Sequence, residues 1–84
     1  MSRVRIPAQP DLVLIAWIRN PLVPGSRRTI TAVRVIGSAR PCVDLLRPGR
    51  RLSAALRCLR RNGFVVVVSE RTSNVSGFVL LKRS

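Results

Sequence analysis

Leu52, Ala55, Leu56 and Leu59 recur at i, i+3, i+4 and i+7, the spacing of one face of an α-helix. Arg50, Arg57 and Arg61 fall on the opposite side of that helix, and Arg51 and Arg60 flank the apolar stripe. Asn62-Gly63 supplies the stop, since glycine takes the left-handed conformation that closes a helix. The stretches 64–69 (FVVVVS) and 76–82 (SGFVLLK) are rich in apolar and β-branched residues with a polar segment between them. They predict an antiparallel hairpin with a longer loop. Residues 29–36 (TITAVRVI) predict a further strand by the same composition.

The first apolar run, residues 11–19 (DLVLIAWIR), is apolar on nearly all sides, so its period admits a helix or a buried strand. Asp11 suits a helix N-cap and Asn20-Pro21 ends the run, because a residue before proline avoids the α region. The reading favours a helix, with Arg19 and Asn20 at its end. Pro21, Pro24 and Gly25 then make a loop carrying Arg27 and Arg28. Residues 37–49 have no period and contain two prolines and two glycines. They read as an inserted loop with one ordered turn near Cys42 to Leu46, which gains order only on a partner. The order helix, strand, helix, strand, strand predicts a two-layer α+β domain. Two helices pack on a small, mainly antiparallel sheet, and residues 1–84 form one domain. Its expected core is Leu14, Ile15, Ile18, Leu52, Leu56, Leu59, Val65, Val67, Phe78 and Leu80.

Charge changes the picture most. The chain carries 16 Lys and Arg against 3 Asp and Glu, a net +13 with no histidine. A domain this small has a marginal core, and self-repulsion on that scale opposes compaction unless a polyanion neutralises it. Nucleic acid is the natural counter-charge, because each phosphate contacted releases condensed counterions. Lys82 is the only lysine, and guanidinium groups pair bidentately with phosphate and stack on bases. The run from Leu12 to Ile18 is far short of the roughly 20 residues that a membrane span needs. Arg3 and Arg5, with no acid before Asp11, hint at an organellar targeting segment, but Pro7 and Pro10 interrupt it.

The residues exclude most catalysis. Asp11, Asp44 and Glu70 are scattered, and no histidine exists to act as a base or complete a zinc site. Neither a dinucleotide-binding glycine motif nor a phosphate-binding P-loop occurs. No catalytic residue, metal site, cofactor or small-molecule substrate is expected. Cys42 and Cys58 lack a CxxC pairing and read as small apolar residues.

Two blocks carry a resemblance. One is DLVLIAWIRN (11–20), followed by a basic loop and TITAV. The other is GRRLSAALRCLRRNGFVVVV (49–68), followed by a stretch ending FVLLKRS. Together they resemble the N-terminal half of the bacterial S-eight family of small-subunit ribosomal proteins. Ile18-Arg19-Asn20 matches that family's Ile-Arg-Asn string, and Gly63-Phe64-Val65 its Gly-Phe-Ile exit from the second helix. Leu56 and Leu59 match the end of that helix, Arg50 and Arg51 its basic beginning, and Leu81-Lys82 the close of the domain.

The chain departs from the family in about fifteen extra residues before Gly49, in Trp17, and in Pro21. It also stops where the family's C-terminal domain, with its RNA-binding Ser-Thr-Ser-x-Gly loop, would begin. That half is expected to be lost, replaced by a neighbour, or carried by a separate chain, as in a mitochondrial ribosome. A bacterial cytoplasmic or plastid ribosome is the alternative compartment.

The resemblance implies a constituent of the small ribosomal subunit that supports assembly and translation. Its partners would be ribosomal RNA, neighbouring ribosomal proteins and a chain supplying the other half, without a membrane role. RNA contacts are expected at Arg19, Asn20, Arg27, Arg28, Arg47, Arg50, Arg51, Arg57 and Arg61. Trp17 is expected in the core in preference to stacking on a base. A free-standing basic RNA- or DNA-binding protein is the second reading, and a cationic membrane-active peptide built on the amphipathic helix is the third.

Overall fold

The structure, a computed structural model, describes residues 10–83. The reading of Arg3 and Arg5 as a targeting signal lies outside the described residues. Four strands form one antiparallel sheet: β1 (Asp11–Ile18), β2 (Thr29–Ile36), β3 (Val65–Arg71) and β4 (Ser76–Arg83). Their order across the sheet is β2-β1-β4-β3, with one α-helix, α1 (Leu52–Arg61), between β2 and β3 in sequence. The protein is a small α+β domain.

The first element corrects the expectation of a helix: residues 11–18 are the central strand β1. Val13, Ile15 and Trp17 are buried while Leu14 and Ile18 are exposed, so burial follows a period of two. A run apolar on every side carries no visible period. Here the neighbours on both edges decide, because β1 pairs with β2 through Ile15↔Val33 and with β4 through Ile15↔Val79. Among the described residues there is therefore one α-helix instead of two. The expected order of helix, strand, helix, strand, strand becomes strand, strand, helix, strand, strand.

Residues directly opposite in an antiparallel pair point to the same face. Val13 opposite Leu81, Ile15 opposite Val79, and Trp17 opposite Gly77 form one face, which shares its core with Leu52, Ala55 and Leu59 of α1. The expected core was thus half misassigned. Ile15, Leu52 and Leu59 are buried, whereas Leu14 is 38% exposed, Ile18 47%, Val65 61% and Val67 53%. Leu56, Phe78 and Leu80 are half-buried. A one-residue shift of strand register moves every side chain to the opposite face. A bulge at β3, where pairing skips from Val66 to Val68, also hides the register of the four-valine run.

Two glycines are demanded by close approaches. A Cβ on Gly77 would lie 2.6 Å from Trp17 Cζ2 and 2.5 Å from the Glu70 carbonyl oxygen, so the indole packs where only a hydrogen fits. Gly37 ends β2 at φ +83° and sits against Asp11, leaving no room for a side chain.

The 37–49 segment is not an appendage. It contains a 3-10 turn at Val43–Leu45 and contributes Ala39, Cys42 and Leu46 to the core. Cys42 and Cys58 form a disulfide joining this segment to α1, with Cα atoms 5.8 Å apart, which corrects their reading as unlinked small apolar residues. The sequence spacing gives no sign of the pairing, because it exists only once the loop folds back over the helix.

Arg83 closes the domain. Its Nε and Nη2 both lie 2.9 Å from Asp11 Oδ2, its Nη1 donates to the Arg40 carbonyl at 2.9 Å, and its Nη2 donates to the Ser38 carbonyl at 3.1 Å. Its guanidinium also lies over the Phe64 ring at 4.5 Å. One side chain thereby ties β1, the 37–49 segment, the residue before β3 and the end of β4.

Candidate nucleic-acid interface

Along the exposed side of α1 run two adjoining hollows that share Ser53 and Leu56 as walls. The first is lined by Arg27, Arg28 and Leu52 in addition to these, and the second by Arg57, Arg60 and Arg61. Amphipathicity makes this arrangement. The helix buries Leu52, Ala55 and Leu59 and has no acid in its ten residues, so its outer face is a run of unopposed guanidinium groups. The loop before β2 brings Arg27 and Arg28 alongside because Leu52 N donates to the Arg28 carbonyl at 3.0 Å and Ile30 N donates to the Arg50 carbonyl at 2.8 Å.

A third hollow at the start of α1 is lined by Arg50, Arg51, Leu45, Gly49 and Ala54. Arg51 occupies the N-cap position without a side-chain capping bond, leaving its guanidinium uncommitted to the helix. The helix start was expected to offer amides to a phosphate. The Leu52 amide, however, is already used by Arg28, so that contribution is reduced.

The nine expected contact residues divide. Arg27, Arg28, Arg50, Arg51, Arg57 and Arg61 are all exposed and gather around α1 and the loop beside it. Arg47 is exposed too but faces Asp44 at 3.5 Å, an exposed i, i+3 pair of little energetic weight. Arg19 and Asn20 have structural roles and follow a strand, not a helix. Arg19 Nε donates to the Asn74 carbonyl at 2.8 Å, holding the β3–β4 hairpin against the end of β1. Asn20 Oδ1 accepts from Leu22 N at 3.0 Å, and its own amide donates to Ser26 Oγ at 2.9 Å, shaping the 19–28 loop.

Arg60 was missing from the expected contacts. The i, i+3, i+4 geometry of the helix puts it beside Arg57 and Arg61, a signal present in the sequence. Trp17 is buried as expected, and Arg28 lies over its ring at 4.3 Å. A cation held over an indole face is attracted by the ring quadrupole, which fixes Arg28 at the mouth of the first hollow. The Trp17 indole N–H is buried without a hydrogen-bond partner among the described residues.

Among the described residues, no group of three or more His, Cys, Asp or Glu side chains stands ready to hold a metal, and no helix is long and apolar enough to cross a membrane. No protein-family model matches the chain, and neither a curated protein nor a solved structure does.

Proposed function

We propose that this protein binds RNA through the arginine-lined face of α1 and the neighbouring 27–28 and 50–51 segments. The observation that carries the reading is the pair of adjoining hollows along α1, where five arginines stand without an acid among the lining residues. A row of guanidinium groups on a rigid helix suits a phosphate backbone, and recognition of this kind reads backbone and shape more than sequence. Helix and sheet act as two layers, the helix layer presenting charge and the sheet supporting it. Catalysis has no part in this reading.

The more specific form of the proposal is a constituent of the small ribosomal subunit, in the mitochondrial, plastid or bacterial cytoplasmic compartment. It rests on the strings Ile18-Arg19-Asn20 and Gly63-Phe64-Val65, and its partners would be ribosomal RNA and adjoining subunit proteins. A strand in place of the first helix removes the element order that accompanied those strings. A disulfide persists in oxidising surroundings and is rare where thiols are kept reduced. The first observation favours a free-standing RNA-binding protein as the form of the activity; the second favours oxidising surroundings for either form.

The test is binding of short single-stranded and duplex RNA over a range of salt concentrations. Each neutralised phosphate contributes about 0.7–0.9 to the slope of log K against log salt. Replacing Arg57, Arg60 and Arg61 together by glutamine is therefore expected to reduce that slope by about 2–3 and to weaken all sequences alike. An unchanged slope and affinity in the triple variant would sink the assignment to α1. Co-sedimentation with small ribosomal subunits after a moderate salt wash separates the ribosomal form from the free-standing one.

A further inference from the structure

Among the described residues, nothing covers the face of the sheet turned away from α1. It presents Leu12, Leu14, Ala16 and Ile18 from β1, Phe78 and Leu80 from β4, Ala32 and Ile36 from β2, and Val68 from β3, as the strand registers require. Leu14, Ile18 and Ile36 are 38%, 47% and 49% exposed. The charged strand residues divide equally between the two faces, Asp11, Arg71 and Arg83 lying on the side of α1. In a chain with 16 cations the face turned away carries Arg34 on β2, Lys82 on β4 and Glu70 on β3. Arg34 and Lys82 stand apart among apolar residues with Glu70 on the same face, so an apolar surface of the same kind fits here better than a polyanion does.

We infer that the occupant of this face is a second copy of the chain, packed sheet to sheet about a twofold axis parallel to the strands. The charge layout selects that axis. Arg34 lies on one outer strand, level with Leu14, Leu80 and Val68; Glu70 lies on the other outer strand, level with Ala16 and Phe78. Rotation about a strand-parallel axis places β2 of one copy over β3 of the other. Arg34 then stands one same-face step, about 7 Å along the strand, from Glu70 of the second copy, within the reach of an arginine side chain. Symmetry repeats the pair on the other side, so two ion pairs flank an apolar centre of Leu14, Leu80, Phe78 and Ala16. The arginine faces of the two copies point outward and apart.

The area is adequate for a modest dimer. Four strands spaced about 4.8 Å apart and about 26 Å long give a face on the order of 500 Å². Two such faces bury about 1,000 Å², the lower bound of specific interfaces, so a dissociation constant in the micromolar range is expected. The dimer does not rest on the RNA-binding reading, and its failure would leave that reading standing.

The experiment is sedimentation equilibrium of the oxidised protein without RNA, at moderate salt so that charges beyond about 8–10 Å are screened. A species of twice the 9.3 kDa chain mass is expected at high micromolar concentration. Arg34→Glu alone and Glu70→Arg alone are each expected to raise the dissociation constant about tenfold or more, and the two together to restore it. These exposed strand positions leave the core untouched, and circular dichroism checks the fold of each variant. Leu14→Asp, at the centre of the face, is expected to abolish the dimer. A wild-type monomer throughout overturns the proposal. So does a dimer indifferent to Leu14→Asp, or a double charge swap that fails to recover what the single reversals lose.

Discussion

Removing the Cys42–Cys58 disulfide tests how the 37–49 segment is held. The bridge closes a loop with a sequence separation of 16, and its loss frees the unfolded chain by about 3 kcal/mol on the loop-entropy model. A domain of this length has a total stability of roughly 4–13 kcal/mol, so the loss is a large share of it. The structure adds a second consequence. Ala39, Cys42 and Leu46 of that segment are in the core. Arg83 on the Ser38 and Arg40 carbonyls and Gly49 N on the Ile30 carbonyl anchor the segment's two ends, while turn hydrogen bonds such as Cys42 N to the Ala39 carbonyl at 2.9 Å order its middle. Freed of the bridge, the segment is expected to detach more readily than the sheet.

The assay compares urea unfolding of the oxidised protein with that of the reduced protein and of the Cys42→Ala/Cys58→Ala double variant. Thiol titration of the protein purified in air comes first. Zero free thiols, a midpoint lowered in both reduced forms by the equivalent of about 3 kcal/mol, and a melting temperature lowered by about 12–24 °C are expected. Hydrogen exchange should show residues 39–46 losing protection before β1. Two titratable thiols in air, or coincident unfolding curves, would refute the reasoning.

Two other predictions follow from contacts at the sheet. Gly77→Ala is expected to destabilise by about 1–3 kcal/mol, because the added methyl meets both the buried Trp17 ring and the Glu70 carbonyl; a red-shifted tryptophan emission with a lowered urea midpoint checks it, and an unchanged midpoint counts against it. Asp11 is held below its ordinary carboxylate value first by the hydrogen bond from the Ser38 amide and then by Arg83. A lowered folded-state value means that this stabilisation is complete above the unfolded value, about pH 4, and drains away as pH falls through the folded one. Asp11→Asn should therefore lose stability at neutral pH and show a flatter stability profile below about pH 4 than the wild type, measured by urea midpoints across that range.

Local pattern made α1 legible to within a residue at each end. Leu52, Ala55 and Leu59 line one side, Gly63 at φ +90° follows its end, and the arginines on its outer side were apparent from the same 3.6-residue period. The strands β2, β3 and β4 were recognisable from β-branched composition, with ends within a residue or two. The gathering of Arg57 and Arg61 on one face follows directly from helical geometry, as does the omitted Arg60. What failed was the first element, where leucine, valine, isoleucine and tryptophan in unbroken succession fit helix and strand equally. Arg19 and Asn20, expected at a helix end, follow a strand instead, where their hydrogen bonds depend on Val75, Asn74 and Ser26 from other parts of the chain.

The sequence by itself determined an α+β domain with a strongly basic helix face, because charge count and the helical period are properties of neighbouring residues. Tertiary structure alone decided that residues 11–18 are the central strand, since pairing on both edges supplies the hydrogen bonds that a helix would have made internally. It also decided which face of each strand is buried, through a register set by partners far away in sequence. The Cys42–Cys58 bridge and the Asp11–Arg83 clasp between the neighbouring strands β1 and β4, which are far apart in sequence, belong to the same class. Each needs two distant segments to meet, and no local pattern records that meeting.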